Sequence, residues 1–195
     1  MNVMEQLESL LPKVEKPARY IGGELNSVQK DLEEVVTRFG FAFPDTYEIG
    51  MSYLGLQIIY HLLNEMESVY CERLFAPASD MEERMREQGL PLFTLETKTP
   101  ARELDLLGFT LQYEMCYTNV IHMLDLAGIP LRSRDRGEAD PFILGGGPCA
   151  FNPEPLAEVI DVFLIGDGEG ILEKVCLAHG QWKKKGAARR DFLES

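Results

Sequence analysis

The amino-acid sequence predicts an α/β fold with a doubly wound, mainly parallel five-stranded sheet, of the flavodoxin-like or Rossmann-like kind. From about residue 35 onward, short apolar runs alternate with amphipathic helical segments, which is the order of βαβ units. Runs such as LDLLGFTL are apolar along most of their length, as strands covered on both faces are. Glycine-rich or polar turns follow several of these runs, where parallel strands pass into helices.

The predicted elements follow in a regular order. Residues 1–34 form a short helical and then irregular extension, because MEQLESLL has a helical apolar pattern that prolines end. The predicted strands are 38–43, 69–77, 104–113, 141–146 and 161–170, with 91–97 as a short additional strand. The predicted helices are 51–66, 79–89, 118–127, 153–160 and 171–186. Ser79 and Asp80 are the expected N-caps of the second helix, and Gly89 is its expected C-cap.

The composition is that of a folded, acidic protein. The chain has 195 residues, of which 45% are hydrophobic, and this suits one domain with a proper core. The formal net charge of −13 argues against a nucleic-acid partner, because phosphate neutralisation needs clustered Lys and Arg. No apolar run approaches the ~20 residues of a membrane helix, and no signal-peptide pattern opens the chain. The sequence therefore predicts a cytoplasmic protein with no membrane partner.

The cysteines and histidines show no metal-ligand spacing. They are Cys71, Cys116, Cys149 and Cys176, and His61, His122 and His179. Zinc and iron–sulfur sites need closely spaced cysteines, and no CxxC pair occurs. The sequence therefore predicts no metal site, with reduced and mostly buried cysteines.

The most distinctive turns follow predicted strands and read PDTYEIG, TLQYEMCYTN, GGGPCAFNP and GDGEG. They all lie at the carboxyl edge of the sheet, where ligands bind in such folds. Each turn alone is explained by the tight reversals that glycine permits, but four together favour a binding edge.

No GxxxxGK[ST] loop occurs, no GxGxxG opens a helix after the first strand, and Glu169 would repel phosphate, so a dinucleotide is disfavoured. A receiver or a flavodoxin is also disfavoured, because the aspartate cluster and the phosphate loop are missing. Glycine triplets instead let the backbone approach a bulky planar cofactor.

Several of these motifs, in this order, resemble a known family. DTYEIG, from Asp45 to Gly50, looks like the DxHxxG motif of cobalamin-binding domains, with Tyr47 at the position of the histidine. LGGGP at 144–148 resembles the Gly-Gly turn that lies along the nucleotide tail of the cofactor. DVFLIGDGEG resembles the VDxVVxGEGE ending of cobalamin-binding domains that precede radical SAM cores. Over about residues 18–180, the chain thus resembles the N-terminal part of an uncharacterised family of cobalamin-binding-type radical SAM proteins.

The resemblance implies a cobalamin-binding-like α/β domain over 35–180 and a set of cofactor-binding residues. These are Asp45, Tyr47, Glu48, Gly50, Thr110, Gln112, Tyr113, Gly145, Gly146, Gly147, Pro148, Gly166, Gly168 and Glu169. A phenol of pKa ~10 is a poor cobalt ligand, so cobalamin is expected to bind without a protein imidazole on cobalt. Tyr47 would then lie under the corrin, fill the space of the missing imidazole, or pack on its own helix. Asp45 and Gly50 would shape the turn, and Asp45 would cap the helix.

The resemblance also implies a partner. The CxxxCxxC motif of a radical SAM core is absent, so S-adenosylmethionine and an iron–sulfur cluster are expected only in a radical SAM core domain of the same full-length chain. Residues 181–195 would be the linker towards that core, and the domain itself is expected not to be catalytic. The alternative is a degenerate domain that has lost cobalamin and acts as a structural or substrate-docking lid. An open apolar groove favours the first hypothesis, and a groove filled by Tyr47, Tyr113 or Phe151 favours the second.

Overall fold

The computed structural model describes residues 3–194 and contains a five-stranded sheet in the order β2-β1-β3-β4-β5, with every neighbouring pair parallel. The strands are β1 (Thr37–Phe43), β2 (Val69–Phe75), β3 (Leu106–Thr110), β4 (Phe142–Gly146) and β5 (Val162–Phe163). This is the flavodoxin-like order and not the Rossmann order. The predicted α/β fold is therefore confirmed.

Helices cover both faces of the sheet. They are α1 (Val3–Leu10), α2 (Ala18–Ile21), α3 (Tyr47–Met51), α4 (Leu54–Glu65), α5 (Ser79–Gln88), α6 (Tyr117–Leu126), α7 (Ile171–Lys185) and α8 (Arg189–Leu193). Short 3₁₀ turns lie at Leu11–Lys13, Ala101–Glu103, Glu114–Cys116, Ser133–Asp135, Pro148–Phe151 and Glu154–Leu156. The buried side chains of α4 and α7 pack on one face of the sheet, and those of α1, α5 and α6 pack on the other. Within the described residues, no helix is long and apolar enough to span a membrane.

The two faces use alternate residues of each strand. On β1, Phe39 and Phe41 pack into the core beneath α4 and α7, whereas Ala42 packs into the core on the opposite face. This is the period of two that every β-strand imposes on its side chains. Because both faces are covered, the strand is apolar from Phe39 to Phe43, which explains why this part of its sequence shows no polar alternation.

Several predicted elements differ from the observed ones. The predicted helix 51–66 is observed as α4, which begins only after its N-cap Tyr53, and the segment predicted as the turn before it contains the short helix α3. The predicted strand 91–97 is wrong, since this segment makes one isolated antiparallel bridge, Phe93 to Pro100, and turns back at Lys98, whose φ is 61°. The helix predicted at 153–160 is one 3₁₀ turn in a proline-rich stretch. The N-cap of α5 is Ala78, without a side-chain hydrogen bond.

The segment 91–100 covers the free edge of β2 with buried polar groups. Leu95 donates its backbone N–H to the Arg73 carbonyl at 2.7 Å, and the Arg73 guanidinium pairs with Glu96 at 2.7 Å. Glu72 accepts a hydrogen bond from Thr94 at 2.8 Å. An exposed edge strand would pair with other chains, so this cover protects the sheet.

The N-terminal segment packs into the same core as the sheet. Leu7 and Leu10 of α1 are buried in the core on the α5 side, and Tyr20 is buried with them. The backbone N–H of Glu15 donates to Asp80 at 2.7 Å. Asp80, expected to cap α5, therefore holds the N-terminal segment against this helix.

The segment predicted as a linker, 181–195, is folded against the sheet as far as residue 194. Arg189 stacks over the ring of Phe142, 4.0 Å from its centroid, and donates to Asp161 at 2.8 Å. Phe142 opens β4, so this contact lies at the amino edge of the sheet, opposite the glycine turns. His179 of α7 is only 1% exposed, and its ring lies against the rings of Phe142, Trp182 and Phe192.

His179 predicts a pH dependence of stability. Burial lowers its pKa from 6.5 to about 4, while Asp105 opposes this shift and Lys183 adds to it. As the pH falls, the unfolded chain takes up a proton on this histidine before the folded protein does. The free energy of unfolding is therefore unaffected above pH 6.5 and falls by up to about 3 kcal/mol as the pH approaches 4. In urea titrations, the free energy of unfolding of wild type should fall more steeply over this range than that of His179→Gln. His61→Gln, at an exposed histidine, should follow wild type, and parallel profiles for all three would contradict the assignment.

Candidate functional site

A groove opens at the carboxyl edge of the sheet, on the face that α4 and α7 cover. Phe39, Gly108 and Leu144, from the middle of β1, β3 and β4, lie at its base. Ile59 of α4 and Leu172 of α7 line its sides. The groove has a volume of about 490 Å³ and a mainly apolar lining. This is the size and character of a site for an organic ligand, whose range is roughly 300–1,000 Å³.

Two glycine-rich turns form the rim. Gly146 ends β4 and Gly147 follows it, and Gly166 and Gly168 follow β5. Gly147 and Gly166 have φ of 95° and 113°, which residues other than glycine rarely adopt. A Cβ added at Gly146 would meet no atom closer than 3.8 Å, and one at Gly166 would meet none within 4 Å. The backbone of both turns is therefore open to a ligand.

The polar groups of the groove are neutral or acidic. The Gln112 amide donates a hydrogen bond to the Thr110 hydroxyl, and both residues line the groove. Asp167 and Glu169 lie on the exposed turn after β5. Among the described residues, the lining contains no Lys, Arg or His. A ligand rich in phosphate would find no cation here, which agrees with the absence of phosphate-loop motifs.

Tyr47 lies outside this groove. Its hydroxyl donates to Glu24 at 2.9 Å, and its ring packs edge-on against Phe75, with 5.4 Å between centroids. Burial and the Glu24 carboxylate raise the pKa of Tyr47 to about 12. The residue lines a separate cavity of about 30 Å³, together with Arg73 and Phe75. The structure thus directs the phenol at the motif's histidine position away from the groove.

Asp45 and Gly50 shape the turn without capping its helix through a side chain. The N-cap of α3 is Thr46, whose backbone N–H donates to the Asp45 carboxylate at 2.7 Å. A Cβ on Gly50 would lie 2.3 Å from the Phe75 ring, so glycine is needed for α3 to pack there. The Tyr113 hydroxyl contacts Asp45 at 3.4 Å and does not line the groove.

Glu48 and Gly145 have partners elsewhere. Arg19 donates to the Glu48 carboxylate at 2.9 Å, with Lys16 at 3.3 Å, and together they lower the pKa of Glu48 to about 2. A Cβ on Gly145 would meet Ile160 at 3.3 Å, so this residue belongs to the packing between strands and turns. Of the residues predicted from the resemblance, the structure brings into the groove Thr110, Gln112, Gly146, Gly147, Pro148, Gly166, Gly168 and Glu169.

Sequence reasoning did not identify the aromatic side chains of the groove. Tyr53 lines it at the N-cap of α4, inside the segment 51–66 that was predicted as helix. Phe151, suggested only as a residue that would fill the groove, stands at its rim with 71% of its surface exposed. Because Tyr47 and Tyr113 lie elsewhere and Phe151 faces solvent, none of these three fills the groove. In the described part of the chain, no cluster of His, Cys, Asp and Glu is arranged to hold a metal ion.

The structure is thus an α/β domain with a mainly apolar groove at the carboxyl edge of its sheet. A family model described as "Radical SAM proteins, N-terminal" matches residues 55–195, well over half of the chain. The protein therefore belongs to this family of radical SAM N-terminal domains.

Among curated proteins, the chain is similar to an uncharacterized protein of Methanocaldococcus jannaschii. The two are 22% identical over 138 residues, which is 70% of this chain and 25% of that protein. The chain thus spans about a quarter of the relative's length. No solved structure matches the chain.

Tyr47→Phe tests whether the hydroxyl of Tyr47 stabilises the folded domain through its hydrogen bond to Glu24. Loss of the hydrogen bond to Glu24 leaves a partly buried acceptor without its donor, so the free energy of unfolding should fall by about 1 kcal/mol in urea titrations. Tyr113→Phe is the matched control, since its hydroxyl is exposed and 3.4 Å from Asp45, and it should change stability by less than about 0.5 kcal/mol. Equal stability of wild type and Tyr47→Phe would refute the assignment.

Proposed function

We propose that the domain binds a cobalamin-type cofactor in the groove and serves as an accessory domain of a radical SAM enzyme. The observation that carries the proposal is the open apolar groove beneath two glycine-rich turns, at the edge where ligands bind in this fold. The family match supports a role as part of a radical SAM protein, and the order of motifs from the first strand to GDGEG supports cobalamin as the cofactor.

The residues of the groove fit such a cofactor. A corrin is large and flat, and the open backbone at Gly146 and Gly166 gives it room to approach. The apolar slot between the sheet and the two helices reaches Gly108, and it suits the aromatic base of the nucleotide tail. Thr110 and Gln112 offer hydrogen-bonding groups to the amides around the corrin. The acidic rim disfavours polyphosphates, and cobalamin carries only one phosphodiester.

The cofactor would bind without a protein imidazole on cobalt. Tyr47 stands at the motif's histidine position and is held by Glu24, and no described histidine lines the groove. Bound cobalamin would supply an alkyl-transferring cobalt centre, while the protein positions it and excludes water. S-adenosylmethionine and the iron–sulfur cluster would belong to a radical SAM core domain of the same full-length chain. The greater length of the relative leaves room for such a core.

Gly146→Leu should abolish cofactor binding by filling the groove with a side chain. Visible absorption titration with hydroxocobalamin and methylcobalamin, followed by desalting, should show pigment retained by wild type and lost from the variant. Gly137→Leu is the control, because Gly137 is an exposed glycine with free space around it, away from the groove. Loss of all pigment from wild type, with no thermal shift at saturating cofactor, would contradict the proposal.

Removal of the nucleotide tail should weaken binding. Cobinamide keeps the corrin and lacks the tail, so it would leave the apolar slot between Gly108, Ile59 and Leu172 unfilled. Burial of an aromatic group of that size is worth roughly 2–3 kcal/mol, so cobinamide should bind about 30- to 140-fold more weakly than cobalamin. Competition titrations measure the ratio. Equal affinities would show that the tail does not enter the slot.

The alternative is a docking lid for the catalytic core, and one observation favours it. Exposed apolar side chains surround the groove at the same edge: Leu54 at the start of α4, Met115 after β3, Phe151 after β4 and Ile165 after β5. Such a rim is typical of a surface that another domain covers. A wild-type domain that retains no pigment would favour this second function.

A further inference from the structure

Tyr53 is a groove residue whose hydroxyl has no hydrogen-bond partner in the described part of the chain. Its ring lines the groove and packs at a tilt against Phe43, with 5.5 Å between centroids. Its hydroxyl makes no hydrogen bond to any residue in the described part of the chain. The backbone of Tyr53 is extended at the N-cap of α4, so the ring stands at the helix end, where α3 and α4 separate.

The glycine two residues later explains how the ring fits. A Cβ on Gly55 would lie 2.7 Å from Cε1 of Tyr53, closer than real Cβ contacts, and 3.1 Å from its Cζ. Glycine is a poor helix residue, and Gly55 stands in the first turn of α4. Its place there is explained by the ring of Tyr53, which needs that space in order to lie along the groove.

Two neutral polar side chains of the groove, Thr110 and Gln112, already contact each other. One amide N–H of Gln112 is donated to the Thr110 hydroxyl, and the hydroxyl of Tyr47, outside the groove, is donated to Glu24. The hydroxyl of Tyr53 is therefore a donor that remains for a ligand. A phenol also presents an aromatic face, which suits a flat conjugated ligand.

We propose that Tyr53, and not Tyr47, is the tyrosine that positions the ligand of this groove. Its ring packs against a flat conjugated ligand, and its hydroxyl donates a hydrogen bond to a neutral acceptor such as an amide carbonyl at the ligand's edge. The proposal rests on the proposed function for the choice of a corrin as this ligand. It goes beyond that function because it exchanges the tyrosine at the motif's histidine position for one outside the motif.

The test compares the affinity for hydroxocobalamin of wild type and three variants by absorption titration. Tyr53→Phe should bind about 5- to 10-fold more weakly, the worth of one hydrogen bond. Gly55→Ala should bind at least as weakly, because the new Cβ displaces the ring while Tyr53 itself is unchanged. Tyr47→Phe should bind within about twofold of wild type.

Stability separates a ligand contact from a structural role. Tyr53→Phe should unfold at the same urea concentration as wild type, because its hydroxyl has no partner among the described residues. Gly55→Ala should keep its helical circular dichroism, because alanine favours the helix. If Tyr53→Phe and Gly55→Ala bind as wild type does while Gly146→Leu does not, the assignment of Tyr53 is wrong and the proposed function stands. If wild type itself does not bind hydroxocobalamin, both the assignment of Tyr53 and the proposed cofactor function are wrong.

Discussion

The buried guanidinium of Arg73 must be neutralised, and its partners determine how the domain is assembled around the groove. Arg73 is 2% exposed and pairs with Glu96 at 2.7 Å and Glu24 at 2.9 Å, while its guanidinium lies 4.5 Å from the centre of the Tyr60 ring. A buried charge without such partners would be strongly destabilising. The cluster joins an edge strand, the segment that covers it and the N-terminal segment. Because Glu24 is fixed by Arg73, its second oxygen is placed to hold Tyr47 away from the groove.

The groove is open because of its backbone as well as its side chains. Glycine at 146 and 166 leaves space above the turns, and glycine at 108 lets the Phe39 ring lie flat in the base of the slot, where a Cβ would stand 2.6 Å from it. Apolar walls and an acidic rim then select for a large ligand with little negative charge. These properties support the proposal of a corrin over a nucleotide, alongside the order of the sequence motifs.

The alternation of apolar runs and amphipathic segments was enough to predict the sheet, since strands buried on both faces are mostly apolar. The same signal failed at residues 91–97, where the apolar side chains are buried by a turning segment that makes almost no strand pairing. It also began α4 too early and left α3 in a turn, because helical periodicity continues across Tyr53 although the chain is extended there. Burial and conformation are separate properties, and periodicity reports mainly the first.

The sequence by itself determined the order of elements, the parallel sheet and the glycine turns of the groove, because these depend on local periodicity and on the permissive backbone of glycine. Only the tertiary structure decided which tyrosine faces the groove and where residues 181–194 lie. Tyr47 is directed by Glu24, distant in sequence, and Arg189 is held by Asp161 and the Phe142 ring. The partner of a side chain is chosen by which segments meet in space, and no local pattern records that choice.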